Sequence, residues 1–559
     1  MKHQGPIAGI AQHGQWVATA GYDNKVILWD CESRKAIARG MHDHLVNNCS
    51  FSSDGKWLVT ASSDYSARLW ALPSMRLQAV LSEHRDDVDM AVFSPDDQLI
   101  ATCALDRLVR VFDLKGQCLM SFHGHTGNVL ALAWTQNGEF IYSTSVDGTI
   151  RKWELATRQC IQITDLHIRT DSLEIAPDGT IYAGDDLGRI CIIKEEKIEM
   201  VSAHQAGIKK IVLNSTTGTL VCLSYDRTMS VWDISKGVLP LELSRTLLPE
   251  VIWARAACVS LDGRILTGTF GSTYAEYDLK KDLWKSSSID SGCALNDVLK
   301  VGADLYSVGD AGTVFKNGKP CTEIGSLCNF LVQADGLLLT GGQLGLLFNA
   351  GTAEVLYEHH SPLNCGVTFE IQGQHWVCIG TYTGEILIFQ IINSSSQFFK
   401  KIKVYENAIK GLSFKNGIIF SVCASTDIAW HRVSDWSLIK EIDHSHDKIT
   451  NDCCSIDDEQ FATVSRDRTL RIWSDHSCSI YPTPHPHSVK CISISEDGQH
   501  LLTGCYGGTL AMFDMHQRRW SKVERPTMSG ISSITWDSSD GQFLAASYDG
   551  SIYPMGVSA

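Results

Sequence analysis

Between residues 125 and 154 apolar and polar positions alternate in short runs, and the interruptions fall where a chain turns. Val129 to Trp134 has the two-residue period of a half-buried strand, Gln136-Asn137-Gly138 supplies a turn, and Phe140 to Thr144 reads as a second strand. Asp147-Gly148 turns the chain into a third run ending at Trp153-Glu154, and Gln159 to Ile163 follows as a fourth. The rhythm returns as SSDYSARLW at 62–70, SYDRTMSVWD at 224–233 and SRDRTLRIW at 465–473. Helical periodicity is scarce; Val, Ile, Thr and aromatic residues sit between Gly, Asp and Ser turns instead. The pattern predicts an all-β chain built from one repeated unit.

This unit resembles the WD-repeat (WD40) family, whose repeats of about 40 to 45 residues form four-stranded propeller blades. Aligned on the first apolar residue of each inner strand, units start at Ile7, Val46, Val88, Val129, Thr170, Ile208 and near Ala254. They continue near Ala294, Cys328 and Asn364, and at Ile409, Ile449, Val489 and Ile531. About fourteen units account for the length, and a ring usually has four to eight blades. The expectation is two seven-bladed WD40 β-propellers of four-stranded blades, over 1–288 and 289–559, joined near Leu283 to Cys293, where WKSSSIDSGC breaks the rhythm. The last unit ends on its third strand, Ser551 to Val557. Either Lys2 to Pro6 supplies its missing edge, stitching the N-terminus onto the C-terminal ring, or that blade keeps three strands; the first is the expectation.

The resemblance implies a network of a His, a Ser or Thr, the turn Asp and the Trp indole in each repeat. It maps onto His125, Ser145, Asp147 and Trp153, onto His42, Ser62, Asp64 and Trp70, and onto His204, Ser224, Asp226 and Trp232. Each charge-assisted bond in such a set is worth roughly 1.5 to 3 kcal/mol when shielded from water. Ser, His and Asp together would also suit a hydrolase, but no enzyme repeats its active site at every unit, so a structural network is the reading. The signature fades along the chain. Asp23, Asp64, Asp106, Asp147 and Asp226 hold the turn early, Phe112-Asp113 replaces Trp-Asp in the third repeat, and the fifth has Asp186 with Ile192 in the Trp place. Gly271, Gln343, Thr383 and Thr426 then stand where the Asp should be, and Asp467 and Asp549 restore it.

Composition narrows the partner classes. A formal charge of −15 disfavours nonspecific attachment to nucleic acid or acidic lipid, so neither is an expected partner. No uninterrupted apolar run is long enough to span a bilayer, and MKHQGPIAGI lacks the apolar core of a signal peptide. The 19 cysteines form no CxxC pair and mostly sit in strand patterns, as Cys49, Cys222 and Cys491 do. They read as buried thiols in a reducing, cytoplasmic setting.

Function is expected on the ring face that carries the second-to-third-strand turns and the loops into the inner strands. Tyr22, Tyr65, Tyr225, Arg227, Tyr382, Arg466, Arg468, Tyr506 and Tyr548 flank the turn Asp positions there. Tyr and Arg are enriched in recognition hot spots, which makes Tyr225, Arg227, Arg466, Arg468, Tyr506 and Tyr548 the candidate partner-binding residues. Channel-facing candidates are Asn47, Asp89 and Lys209 in the first half and Lys410, Thr450 and Lys490 in the second, so the second channel should be the more basic and suit a small anionic ligand or an acidic peptide. Histidines double before several inner strands, as in His444-Ser445-His446 and His485-Pro486-His487. No cofactor is expected, yet these four imidazoles leave room for a divalent transition metal, since imidazole suits zinc, copper, iron, cobalt or nickel. Phosphate-loop, HExxH, GxSxG and dinucleotide fingerprints are absent. The leading reading is a non-catalytic double propeller that binds protein or peptide partners on its loop face. The alternative is an enzyme with a pocket in the second funnel, metal-assisted and acting on a small anionic or heterocyclic substrate.

Overall fold

The computed structural model describes every residue except 1, 4, 196, 235–240, 248–255, 270, 286–293, 475–476 and 558–559. Two expectations fall outside it: the unit start near Ala254, and most of the junction tract through Cys293. All regular elements among the described residues are β-strands, arranged as thirteen four-stranded antiparallel sheets and one of three strands. No described helix is long and apolar enough to cross a membrane.

The fourth sheet shows how the sequence builds one unit. Val129–Trp134, Phe140–Ser145, Thr149–Glu154 and Gln159–Asp165 pair in order. The tight reversals need left-handed backbone, and Gly138 (φ 70°) and Gly148 (φ 78°) supply it without a Cβ penalty. The second strand is buried along most of its length, while the fourth alternates exposed and half-buried residues as an outer edge should. Apolar side chains from neighbouring sheets meet face to face: Cys103, Val109 and Phe122 of the third sheet pack with Val129, Ile141 and Trp153 of the fourth.

The chain divides into two compact units, Met1–Asp290 and Ser291–Ala559. In the first, inner strands pack side by side from Ile7–His13 around to Ala257–Val259, which returns to Ile7–His13. In the second they run from Leu295–Val301 around to Ile531–Asp537, which again meets the first. Each unit is thus a closed ring of seven sheets, a seven-bladed propeller. Nearly every inner strand carries an irregularity after its first residue, as between Val46 and Asn48 or between Val489 and Cys491. The skipped residue has no opposite number in the ladder and is free to reach sideways.

Both rings close on themselves. The N-terminal segment belongs to the first, not the second: the His3 N–H donates to Ser272 O at 3.0 Å and the Ile7 N–H to Thr269 O at 2.8 Å. His3 also bonds Asp23 at 2.9 Å and Thr19 at 2.8 Å, so the segment is committed to its own blade. The last sheet accordingly keeps three strands, Ile531–Asp537, Gln542–Ser547 and Ile552–Gly556. Side chains seal its junction with the eighth sheet: Ser533 Oγ donates to Asp297 at 2.5 Å, Lys300 pairs with Asp537 at 3.0 Å, and Leu295 and Val298 pack on Ala546. The Ser547 N–H bonds Ser551 O, and antiparallel alternation then points residues 552, 554 and 556 outward. Pro554 therefore places its missing N–H on the outer edge of that strand.

Candidate functional site

The histidine networks define where the loop face is and how rigidly it is held. In the fourth blade His125 Nδ1 lies 2.8 Å from Asp147, its Nε2 lies 2.8 Å from Ser143 Oγ, and the Trp153 indole N–H donates to that hydroxyl at 2.7 Å. The second blade repeats this with His42, Asp64, Thr60 and Trp70, and the twelfth with His446, Asp467, Thr463 and Trp473. The bridging hydroxyl is therefore two residues earlier than Ser145 and Ser62. Those serines cap the turn instead, accepting from the Asp147 and Asp64 amides at 3.1 Å. The sixth blade has Cys222 at the bridging position, and Ser230, its direct cross-strand partner, takes the role in place of Ser224. In the fifth, Asp185 rather than Asp186 accepts from the turn amides of Leu187 and Arg189.

Burial raises the Asp147 carboxyl, but bonds from Thr149, His125 and the Thr126 amide outweigh it and hold it at about 2. Burial likewise keeps His125 below the usual histidine range against the pull of Asp147. The network is a neutral imidazole on a carboxylate in a dry joint. The Ser143 hydroxyl is fully buried beneath the Trp153 indole, where no substrate reaches it.

These joints hold the candidate partner residues. The Tyr225 N–H bonds Gly207 O, Arg466 bonds Ile449 O, Tyr506 bonds Ser488 O and Tyr548 bonds Gly530 O, each the residue next to or just before an inner strand. Turn and loop thus share one end of the ring. Arg227 and Arg468 occupy left-handed turn positions, with φ of 72° and 62°. Arg468 is exposed and Arg466 half-buried. Tyr506 is only 8% exposed and stacks beside Tyr548 with ring centres 6.5 Å apart, so that pair is wall more than contact surface.

The irregular second residues of the inner strands line the channel at this end. In the first ring Ala8, Asn47, Asp89, Leu130, Asp171 and Lys209 border a cavity of about 130 Å³, with Tyr22 above them. Asp171 accepts from Arg169 at 2.7 Å and from Lys209 at 3.2 Å, and Asp186 lies 3.9 Å from Arg169, so two carboxylates meet the two cations. The matching residues of the second ring are Asn296, Asn329, Asn364, Lys410, Asn451, Lys490 and Ser532. Thr450 is not among them: it pairs with Ser465 as the fully buried first residue, and Asn451 takes the channel place. Lys410 lies over the Tyr382 ring at 5.5 Å. Burial opposes the Lys490 ammonium, but Tyr506, Tyr548 and Asp452 more than restore its charge.

The asparagines do something the sequence pattern did not announce. Asn296, Asn329, Asn364 and Asn451 each donate to the carbonyl of the first inner-strand residue of the next blade: Cys328 at 3.0 Å, Leu363 at 2.8 Å, Ile409 at 2.5 Å and Val489 at 2.6 Å. Asn47 does the same to Val88 at 3.0 Å in the first ring. The signal was available as Asn recurring directly after the first apolar residue of a unit.

The four-histidine metal site is not formed. His446 spends its ring nitrogens on Asp467 and Thr463, and His485 bonds Thr503 at 2.8 Å. His444 is exposed, its Nδ1 3.3 Å from Thr426 Oγ1. The His487 ring fills the space beside Gly507, where a Cβ would fall 2.1 Å from its Cδ2. Gly507 stands where other blades have the Asp, so His487 replaces that carboxylate sterically. Among the described residues the group best placed for a cation is His359, His360 and Glu385, with ligand atoms within 4.8 Å. His359 bonds Glu385 at 2.8 Å and Lys401 pairs with its other oxygen at 2.8 Å. This is the tenth blade's version of the His–Asp joint, its carboxylate already neutralised by an ammonium.

Comparison with known proteins places these features in a family. The WD40 sequence profile (WD domain, G-beta repeat) matches residues 2–30, 38–71, 75–113, 116–154, 436–474 and 477–514. The transcriptional corepressor LEUNIG_HOMOLOG of Arabidopsis thaliana is 22% identical over 267 residues, covering 39% of this chain and 34% of that protein. Periodic tryptophan protein 2 of Arabidopsis thaliana is 28% identical over 200 residues, 34% of this chain and 22% of its own length. The target of rapamycin complex subunit wat1 of Schizosaccharomyces pombe is 24% identical over 236 residues, 40% of this chain and 75% of that protein. The matched stretch spans about a third or less of the first two relatives. With the networks at His3, His42, His125, His204 and His446 and two closed rings of seven sheets, the chain carries WD40 repeats in both rings.

Proposed function

We propose that the chain is a non-catalytic scaffold that holds a protein partner on the loop-bearing face of its second ring, with an acidic segment of that partner seated at the channel mouth. The observation that carries this is the placement of Lys410 and Lys490 at channel positions beside Tyr382, Tyr506 and Tyr548, with Arg466 and the exposed Arg468 in the adjoining turns. Cations framed by aromatic rings fit a carboxylate-bearing peptide, and the rigid joints beneath them hold the surface in shape before binding. Relatives named as a corepressor and as a complex subunit support a role in assembly rather than catalysis. A reducing, intracellular setting fits thiols such as Cys49, Cys222 and Cys491 buried in strands.

The test compares quantitative partner recovery from cell extract by the full chain, an Arg468→Ala/Lys410→Ala variant, and Asp458→Ala on the opposite end of the ring. The face variant should lose about tenfold in recovery with melting unchanged, equivalent to roughly 1.4 kcal/mol of binding. Equal recovery by all three proteins would overturn the assignment.

A further inference from the structure

The loops on either side of the thirteenth blade form a surface that the channel lysines do not account for. Residues 483–488 lead into its inner strand and 525–530 lead out toward the fourteenth, with the turn at Gly507-Gly508 between them. Bonds keep the three pieces together. The Thr483 N–H and hydroxyl both donate to Arg468 O at 2.9 Å, the Tyr506 N–H donates to Ser488 O at 3.1 Å, and Arg525 Nε donates to Gly507 O at 2.9 Å. A Cβ on Gly508 would fall 2.1 Å from Thr527 O, and one on Gly507 the same distance from the His487 ring, so both loops lie directly on the turn. What they present outward is apolar and stiff: Pro484, Pro486 and Pro526 are exposed, and Met528 is 68% exposed. Fixed proline φ angles hold such a surface in shape before anything binds.

The charge of this surface is one-sided. In a chain of formal charge −15, residues 483–490, 505–510 and 525–531 hold no Asp or Glu. Arg468 and Arg525 stand exposed at its two flanks and Lys490 half-buried at its channel end, and none of the three has a carboxylate within 4.0 Å among the described residues. The turn acids of the adjoining blades are already engaged, Asp467 by His446 and Asp549 by Thr527 and Tyr553. Given an acidic segment at the channel mouth, as proposed for the second ring, we infer that it runs outward across the thirteenth blade and carries a large apolar residue between its acids. Its carboxylates meet Lys490, Arg468 and Arg525, and the apolar side chain lies on Met528 and the three prolines. The Met thioether is unbranched and polarisable, and moulds to an aromatic or aliphatic group. Charge alone would also suit nucleic acid, but pyrrolidine rings and a thioether offer no aromatic platform for stacking bases.

Peptides of about twelve residues are selected on the full chain from a random display library, and the enriched sequences are synthesised and titrated by fluorescence anisotropy. Acidic residues on both sides of a Leu, Ile, Met, Phe or Trp are expected. Arg525→Gln and Met528→Ser should each weaken these peptides about tenfold with melting unchanged, and the first-ring control Arg107→Gln should leave them unaffected. Replacing the central apolar residue of the peptide by Ser should cost about tenfold as well, and this series on the unaltered protein decides if a variant folds poorly. Peptides that lose affinity with Lys410→Ala but keep it with Arg525→Gln and Met528→Ser would leave the channel-mouth function standing and overturn the path. Enrichment of no acidic peptide would overturn both. Equal competition by single-stranded DNA would overturn a peptide as the occupant.

Discussion

The fourth blade is fastened within itself, whereas the eighth to tenth are fastened to their neighbours. In the fourth, His125, Ser143, Asp147 and Trp153 tie the incoming loop to the second and third strands of one sheet. In the eighth to tenth, no Trp–Asp signature remains, and Asn296, Asn329 and Asn364 instead clip each inner strand to the next. A vestige of the joint persists in the tenth as His359 on Glu385. A propeller must fix both the shape of each blade and the seam between blades. The second and twelfth blades carry both devices, Asn47 and Asn451 clipping beside the joints of His42 and His446. In the eighth to tenth the clip stands with little of the joint, which is why that region is quiet in sequence.

The largest expected effect separates the two kinds of fastening. Asp147→Ala strips the acceptor from His125, Thr126 N–H and Thr149 N–H together and should destabilise the first ring by about 3 kcal/mol. Asp43→Ala removes only an exposed partner of Arg68 and should cost less than about 0.5 kcal/mol. Denaturant titration of both variants checks this, and equal shifts would remove the case for the joint.

Next comes a pH test that sets the two regions apart by sign. Burial raises Asp310 to about 7, offset in part by Asn296, so its charged form is disfavoured in the fold. Its contribution is fully present below the unfolded value of about 3.8 and is lost as pH rises through about 7. Asp310→Asn keeps the Asn296 contact and removes the charge, so at pH 8 it should be more stable than the parent by about 2 kcal/mol, with the gain gone by about pH 4. His125 works the other way. Its depressed pKa gives stability that is present above about 6.5 and fades as pH falls below it, so acid should loosen the signature blades first. Unfolding curves at the two pH extremes read both trends.

Asn329→Leu should cost roughly 1 to 2 kcal/mol by orphaning the Leu363 carbonyl, and combining it with Asn364→Leu should show coupling, since the clips are consecutive. Trp153→Phe loses the indole bond to Ser143 and leaves a void where the second ring packed, and should cost roughly 1 to 2 kcal/mol by the same titration.

The repeat length, the strand rhythm and the turn Asp positions were legible because a two-residue period and a glycine turn leave local marks, as in Phe140 to Gly148. The bridging hydroxyl was misplaced because Ser143 and Ser145 share one face of a strand, and period alone does not say which of them the imidazole reaches. Thr450 was misread because the unit was aligned on the apolar Ile449, whereas the first paired inner residue is Thr450 itself, so the channel place falls one later, at Asn451. Histidine pairing in sequence suggested ligation, but only the residue four before the inner strand, such as His446 or His485, turns inward. Its companion serves another need, as His487 does in packing on Gly507.

The outward-facing Pro554 bears on how these molecules behave when crowded. A sheet that stops at its third strand offers a row of backbone donors and acceptors to any passing extended chain, the usual seed of fibrous association. With a pyrrolidine ring at the middle of that row, the strand Ile552–Gly556 has an N–H to give only near its two ends, too far apart to template a continuous ladder. Along Ile552–Gly556 that edge therefore gives an extended chain no continuous ladder to pair with, and edge-to-edge association should not start there.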